Sequence, residues 1–333
     1  MPMVSSELST PKERGGLLFD MPKILITGST GLVGSEAVKF FREKGWYVVG
    51  IDNNMRAKNL GTPDKVPEIE LDIRNWHGIV DLFSKNSFDA VIHAAAQASH
   101  DWSKKEPVTD FGVNALGTLL LLEATRLYCP KAVFVYVSSD KVYGENIGND
   151  KTLWTENVSL DRTSRTPFGV SKLAADLYVQ EYGRWLGIKT ACFRCGCITG
   201  KAHEGAELHG FLAYLTKCIK EGKTYKIFGF KGEQVRDQIH AYDLVNAFWH
   251  FIQKSKIAEV YNMGGGPERS KTLNEFAEMI SKEVGKPFVS EYEEVRWADR
   301  GYDVHDVSKF RKDYPEWDYK YSLEDIIKDL CGS

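Results

Sequence analysis

Three glycines at fixed spacing follow a short apolar run in Ile24-Leu-Ile-Thr-Gly28-Ser-Thr-Gly31-Leu-Val-Gly34. A strand that breaks into Gly-x-x-Gly-x-x-Gly and then enters a helix lets backbone approach a pyrophosphate, which sits at the helix's positive end. This assigns Gly28, Gly31 and Gly34, with Leu32 and Val33 between the last two, to a dinucleotide-binding turn. A tight turn without a ligand is the alternative. Asp52 closes the next β-rich run, about 18 residues after Gly34. A carboxylate there accepts from the adenosine ribose hydroxyls and repels the 2′-phosphate of NADP, so NAD is the preferred dinucleotide. Asn53, Asn54 and Arg56 follow the acid, and Arg56 is the residue that could instead accommodate that phosphate. Asp72-Ile73 ends the third β-rich run, where an acid reaches the adenine amino group or, equally, caps the following helix. Ala94, Ala95 and Ala96 follow His93 with small side chains, suited either to a cofactor lying across the strand ends or to plain helix–sheet packing.

Such residues need strand ends presented side by side. Strands are predicted at 23–27, 46–52, 68–71, 89–94, 132–138 and 189–193. Amphipathic helical stretches fall between them at 35–44, 76–85, 114–127 and 171–186. That alternation predicts an α/β fold, a Rossmann-type doubly wound parallel sheet with helices on both faces. After about Gly196 the pattern loosens. Helices near 210–221, 241–253, 273–284 and 323–329 are interspersed with strands near 226–228 and 260–263. We divide the chain into a leader (1–20), a dinucleotide-binding domain (21–195) and a smaller α/β substrate lobe (196–333), with the chain crossing between the lobes.

Composition narrows the function. With 333 residues there is room for both units, and a net charge of −3 argues against a broad nucleic-acid footprint. No apolar run approaches the roughly 20 residues that span a bilayer. Residues 1–20 lack the apolar core of a secretory signal, contain Pro11 and Gly15-Gly16, and read as a flexible leader. The six cysteines show no disulfide framework, and Cys195-Gly-Cys197 is too close and isolated for a metal knuckle. A reducing cytoplasm and no metal are expected.

In this order the pieces resemble the extended short-chain dehydrogenase/reductase family of nucleotide-sugar epimerases and dehydratases, from about Pro22 to Leu330. The resemblance is carried by the glycine motif, Asp72-Ile73, Asn114-Ala-Leu-Gly117-Thr118, Val137-Ser138-Ser139-Asp140-Lys141-Val-Tyr143-Gly144, Phe168-x-x-x-Lys172 and Gln234-Val-Arg236-Asp237-x-Ile-His240. Within the family, Ala96-Gln97-Ala-Ser-His100-Asp-Trp102, Arg194-Cys-Gly-Cys197-Ile-Thr-Gly200 and Glu207-Leu-His209-Gly-Phe211 resemble the branch of CDP-paratose (CDP-tyvelose) 2-epimerases. The resemblance implies a resident NAD, a nucleotide-diphosphate sugar as substrate (CDP-linked favoured, UDP-linked possible), and transient oxidation of a sugar hydroxyl to a keto intermediate. It also implies a homodimer built on the helices 114–127 and 171–186.

The family's base is the tyrosine of Tyr-x-x-x-Lys, its proton affinity lowered by the lysine and the cofactor. Here Phe168 occupies that position, with Lys172 in place. An engineered substitution, a natural branch using another base, and a protein that only binds ligand all remain open. For another base, the family register places Lys141, Cys195, Cys197 and His209 near the sugar or nicotinamide. Free cysteines are more often small buried residues. Tyr143 is expected to pack, and Ser139 to set its hydroxyl against the reacting sugar oxygen or else to cap a strand end. Asp140-Lys141 replaces the Asp-Glu pair of the dehydratase branch, which argues for epimerisation. Ser138 and Lys172 are assigned to the cofactor, as is Asn114, for which helix capping is the alternative.

At the substrate end, Arg236 stands where the family binds diphosphate, a task suited to a forked guanidinium. A surface arginine paired with Asp237 or Glu233 is the other reading. Gln234 lies beside it. Arg296 and Asp299 resemble an Arg-x-Gly-Asp element that contacts the nucleotide, with Ala298 replacing its glycine. Gln97, His100, Trp102, Asp140 and His209 complete the expected sugar wall, His100 and Trp102 being assigned to a loop whose own core an aromatic could equally fill. The leading expectation is an NAD-dependent nucleotide-sugar epimerase. A dehydratase and a non-catalytic binding protein are the alternatives.

Overall fold

The structure is a computed structural model that describes residues 21–55, 68–144, 151–160, 165–200, 210–297 and 299–332. Seven parallel strands form its main sheet, in the order β10-β6-β5-β4-β1-β2-β3. They are β1 (Lys23–Thr27), β2 (Tyr47–Asp52), β3 (Ile69–Glu70), β4 (Ala90–His93), β5 (Val133–Ser139), β6 (Lys189–Cys195) and β10 (Glu259–Met263). β1 and β4 pair directly, Thr27 opposite His93, while the chain leaves β1 for β2 on the other side. The strand order reverses at that point, and the C-terminal ends of β1 and β4 open a crevice there.

Because side chains alternate across a strand, each strand feeds two cores. Ile24 and Ile26 pack with Phe40, Phe41, Phe193, Phe248 and Phe251 beneath helices Leu32–Glu43 and Ala241–Gln253. Leu25, Val91 and Phe134 pack with Ile79, Leu121 and Val179 beneath helices Trp76–Ser84, Gly117–Tyr128 and Pro167–Leu186. The strands and helices predicted between residues 23 and 195 all occur, with ends moved by a few residues. The largest change is at 107–128. There a short helix (Pro107–Phe111) runs through a π-helical turn (Gly112–Leu116) into Gly117–Tyr128, so Asn114 lies inside a helical segment and not at its start.

Gly196 hands the chain to a second sheet. A Cβ there would stand 2.5 Å from the His305 ring, so only glycine lets the backbone pass. β7 (Cys197–Thr199) continues beyond it and pairs with β9 (Val235–His240), which also pairs with β11 (Ser270–Thr272) and β13 (Tyr302–Asp303). A third core joins helices Phe211–Glu221, Leu273–Val284 and Leu323–Cys331 through Leu215, Ile227, Phe276 and Ile326. β10 and the helix Ala241–Gln253 return from this part of the chain to the large sheet. β9 and β13 are thereby held over the C-terminal ends of β5 and β6.

Candidate active site

The glycine turn is shaped by contact. Gly28 has φ near 68°, and a Cβ on it would lie 2.7 Å from the Ala95 nitrogen. A Cβ on Gly34 would overlap the Gly28 carbonyl oxygen, which accepts from Gly31 N at 3.0 Å. Gly31 caps the helix without a side chain, and no acid occupies its first turn. The first N–H groups, including those of Leu32 and Val33, therefore have neither an intrahelical acceptor nor a local carboxylate, which suits a pyrophosphate. Asp52 ends β2 with both oxygens engaged: one accepts from Thr30 N and Oγ1 at 3.1 and 2.8 Å, the other from Asn54 N at 2.9 Å. Asn54 adopts a left-handed φ of 54°, and its buried Oδ1 has no partner among the described residues. Arg56 lies outside the described residues.

Asp72 does not cap the next helix, since Asn75 does so by accepting from Gly78 N. It instead takes a forked pair of bonds from Arg74 and one from Asn53 Nδ2, and the Arg74 bond above all holds its carboxyl down at about 2. Ile73 is buried and fills the space left by Gly117. His93 bridges Thr27 and Thr118 and is kept neutral by burial.

The segment after β4 is tied down by one buried carboxylate. Asp110 accepts from Ser171 Oγ at 2.6 Å, Gln97 Nε2 at 2.6 Å and Asn114 Nδ2 at 3.3 Å. Asn114 also donates to Gln97 O and accepts from Gln97 N, both at 2.9 Å. The π-helical turn aims Asn114 at this hub, a frequent use of such a turn near functional sites. Capping is thus excluded as its role, and Ala94, Ala95 and Ala96 lead from β4 to Gln97, which Asn114 fixes. His100 and Trp102 sit on a short helix (His100–Lys105) capped by Ser99, not on an irregular loop.

Phe168 is buried at the start of helix Pro167–Leu186, edge-on to His100 with ring centroids 4.9 Å apart. A Cβ on the adjacent Gly169 would stand 2.8 Å from the Lys141 carbonyl, which places this turn against the end of β5. Lys172, one turn on, donates to Val137 O at 2.7 Å, and burial lowers its proton affinity to about 8. The cysteine bases expected from the sequence do not form: burial pushes Cys195 well up, despite Lys172 nearby, and Cys197 up to about 12. Ser138 Oγ donates its proton to Asp176 at 2.6 Å, so it can meet a cofactor only as an acceptor. Tyr143 packs, as expected, bonded to Asn262 and Arg194 and stacked on Trp154.

Around Ser139 lies a dense group of charges. Ser139 Oγ donates to Asp140 at 3.1 Å, and Lys141 Nζ bridges Asp140 and Asp303 at 2.8 and 2.9 Å. Arg300, almost fully buried, reaches the same two carboxylates at 2.7 and 2.9 Å and the Gly144 carbonyl. Lys141 is raised despite its burial, because both carboxylates favour its charged form. His305, beside Asp237 at 3.0 Å, is raised to about 9 against the cost of burial. Asp140, Asp303 and His305 bring ligand-type atoms within 4.8 Å of one another, but Lys141 and Arg300 already balance the carboxylates.

Arg236 lies next to this group on β9, neither a surface residue nor paired with Asp237 or Glu233. It bonds Asp299 at 2.6 Å. Arg296 lies over the Phe228 ring at 3.6 Å with its Nη2 buried and unpartnered among the described residues. The Gln234 side chain is also buried, with its oxygen unbonded among those residues. His209 falls outside the described residues. Asp110, Arg300, Asp303 and His305 were not marked by the sequence. The last three follow Asp299 at irregular spacing, and only their adjacency to that motif could have signalled them.

The profile of the NAD-dependent epimerase/dehydratase family matches residues 24–264, and the chain belongs to that family. NAD is the cofactor of the family; the glycine turn has the shape and N–H donors to hold it, and the Asp52 carboxylate offers acceptor oxygens. A CDP-paratose 2-epimerase of Salmonella typhi is 30% identical over 334 residues, covering 92% of this chain and 98% of the relative. A dTDP-glucose 4,6-dehydratase of Escherichia coli is 29% identical over 74% of this chain and 73% of its own length. A UDP-glucose 4-epimerase of Thermotoga maritima, solved with UDP-glucose, superposes with a TM-score of 0.82 at 28% identity, covering 93% of this chain and 97% of that one. A UDP-glucose 4-epimerase of Thermus thermophilus in complex with NAD gives 0.80 at 26% identity, covering 93% and 98%.

Proposed function

We propose that this chain is an NAD-dependent epimerase of a nucleotide-diphosphate sugar, acting through a transient keto sugar. The observation that carries the reading is Lys141. Elimination of water requires a base where Lys141 stands, and Asp140 and Asp303 hold that residue as a cation. Bound NAD supplies the reversible oxidation of the sugar carbon. The chain's own residues do the rest: Ser139 holds the reacting hydroxyl, Arg236 takes a diphosphate oxygen in exchange for Asp299, and the Asp110 hub fixes the wall formed by Gln97 and Asn114. The likeness to the Salmonella typhi protein over nearly its whole length favours a CDP-linked sugar over a UDP-linked one.

A second reading, a protein that binds both ligands without turnover, is favoured by Phe168 alone. Incubation with CDP- and UDP-linked sugars, followed by NMR and mass spectrometry, decides among the readings. An epimer of unchanged mass with no net consumption of NAD is expected. A product lighter by one water would make the chain a dehydratase, and no product at all would leave a binding protein.

Two further parts of the reading concern the setting. Val108, Phe111, Leu116, Leu127, Leu177 and Trp185 are exposed on the helices 107–128 and 167–186, which supports a homodimer formed through that face. All six cysteines are free, which supports a cytoplasmic setting.

A further inference from the structure

With phenylalanine at 168, the proton released when a sugar hydroxyl is oxidised needs another acceptor. The cysteines are held as neutral thiols, while Lys141 and His305 are held as cations by Asp140, Asp303 and Asp237. Lys172 differs from all of them. Its side chain is buried, its Nζ lies 4.4 Å from the centre of the Tyr136 ring, and no described carboxylate forms an ion pair with it. The titratable groups around it are engaged or neutral. Asp176, on its own helix, is paired with Arg194 at 2.8 Å. Asp110 is bonded by Ser171 and Gln97. Cys192 and Cys195 on β6 and Tyr136 on β5 are raised by burial, and His93 on β4 is lowered by it.

The position fits a reacting hydroxyl. Lys172 Nζ is anchored on the Val137 carbonyl, and Ser139 is two residues further along β5, about 6.6 Å away at the usual strand rise. Both groups thus serve the same end of β5, where the epimerase reading sets the reacting hydroxyl.

We propose that Lys172 itself takes the proton from the reacting hydroxyl and returns it, with Ser139 holding that hydroxyl. This rests on the epimerase reading above. In the oxidising direction the sugar O–H bond breaks and its proton forms an N–H bond on the neutral Lys172 amine. The freed O–H electron pair becomes the carbonyl π bond, and the hydrogen on carbon leaves with its electron pair to the dinucleotide. Lysine gains one positive charge as the cofactor loses one, so the step is neutral overall. On return the ammonium reprotonates the alkoxide. Amines brought near neutrality by burial are suited to this work.

The test joins a titration to a set of variants. In the NAD-loaded protein with lysines labelled at Cε, NMR is expected to show one lysine titrating near pH 8 that is missing from Lys172→Arg. Titration of that lysine near its ordinary value of 10.5 overturns the proposal. Lys172→Arg keeps the charge but cannot deprotonate, so turnover is expected to fall at least ~100-fold. Phe168→Tyr is expected to restore turnover in the arginine background, because a phenol then carries the proton. Retention of turnover by Lys172→Arg, within about threefold, overturns the proposal. So does activity in Phe168→Tyr when the native chain has none, an outcome that leaves the epimerase reading standing. If neither the native chain nor Phe168→Tyr epimerises any nucleotide sugar, the epimerase reading fails and takes the proposal with it.

Discussion

Replacing Lys172 by methionine keeps much of the side chain's volume and removes a buried amine. In the folded chain burial lowers the proton affinity of this amine from 10.5 to about 8. That difference corresponds to about 3 kcal/mol in favour of the neutral form. Below pH 8 the folded protein carries the ammonium and bears this cost in full. Between pH 8 and 10.5 the unfolded chain still holds a proton that the folded chain has released, so native stability climbs with pH across that window. Methionine has no such cost, but it loses the bond to Val137 O, which contributes about 1 kcal/mol. The variant is therefore expected to be about 2 kcal/mol more stable than the native chain at pH 7 and about 1 kcal/mol less stable above pH 10.5. For a chain of this length that is a melting temperature about 3 °C higher at pH 7, with the order reversed in alkali. Paired thermal melts at the two pH values measure it. A methionine variant that melts lower at both would refute the placement of an uncompensated amine in this pocket.

Other perturbations act at separate points. Gly34→Ala puts a methyl group into the Gly28 carbonyl, so affinity for NAD by calorimetry is expected to fall at least tenfold, or ~1.4 kcal/mol. Arg300→Met leaves the buried Asp140 and Asp303 to share Lys141, and denaturant melts are expected to show a loss of about 3 kcal/mol, much larger than for a surface arginine. The proposed homodimer predicts a native chain that sediments as a dimer, and Leu177→Lys, on the exposed face of helix Pro167–Leu186, is expected to leave monomers at the same concentration. A monomeric native chain would refute the dimer, and a dimer unchanged by the substitution would refute this face as its interface.

Much of the Rossmann half could be read from residue order. Its strands are apolar runs punctuated by glycine and acid; Gly28 and Gly34 act within one local turn, and Asp52 closes the neighbouring strand. Family resemblance singled out Arg236, although no strand was expected at 235–240. It did not show that Arg236 meets Asp299, because that pairing joins positions 63 residues apart. Arg300, Asp303 and His305 were hidden for the same reason, since their roles depend on β13 lying beside β9 rather than on any periodicity. The thiols of Cys195 and Cys197 were misread in the other direction. Their nearness to the site follows from family register, but their acidity is set by burial, which spacing does not record. Asn114 was assigned to the cofactor with capping as the alternative, and its place inside a helical segment went unseen because a π-helical turn has no distinct sequence signature.

That π-helical turn makes the helical segment 107–128 a two-phase object. Its later portion, from Gly117, is keyed to the sheet through Leu121 and Ala124, whereas Asp110 and Asn114 are keyed to the crevice. The surplus residue in the wide turn is what lets both phases coexist. Removing one residue there would restore α-helical bonding and turn everything upstream by about 100° relative to the sheet. Asp110 would then leave Ser171 and Gln97, although each of those side chains was still present. The turn therefore works as a phase shifter: indels at 112–116 would be read as a loss of site geometry, while the helical content of the protein hardly changed.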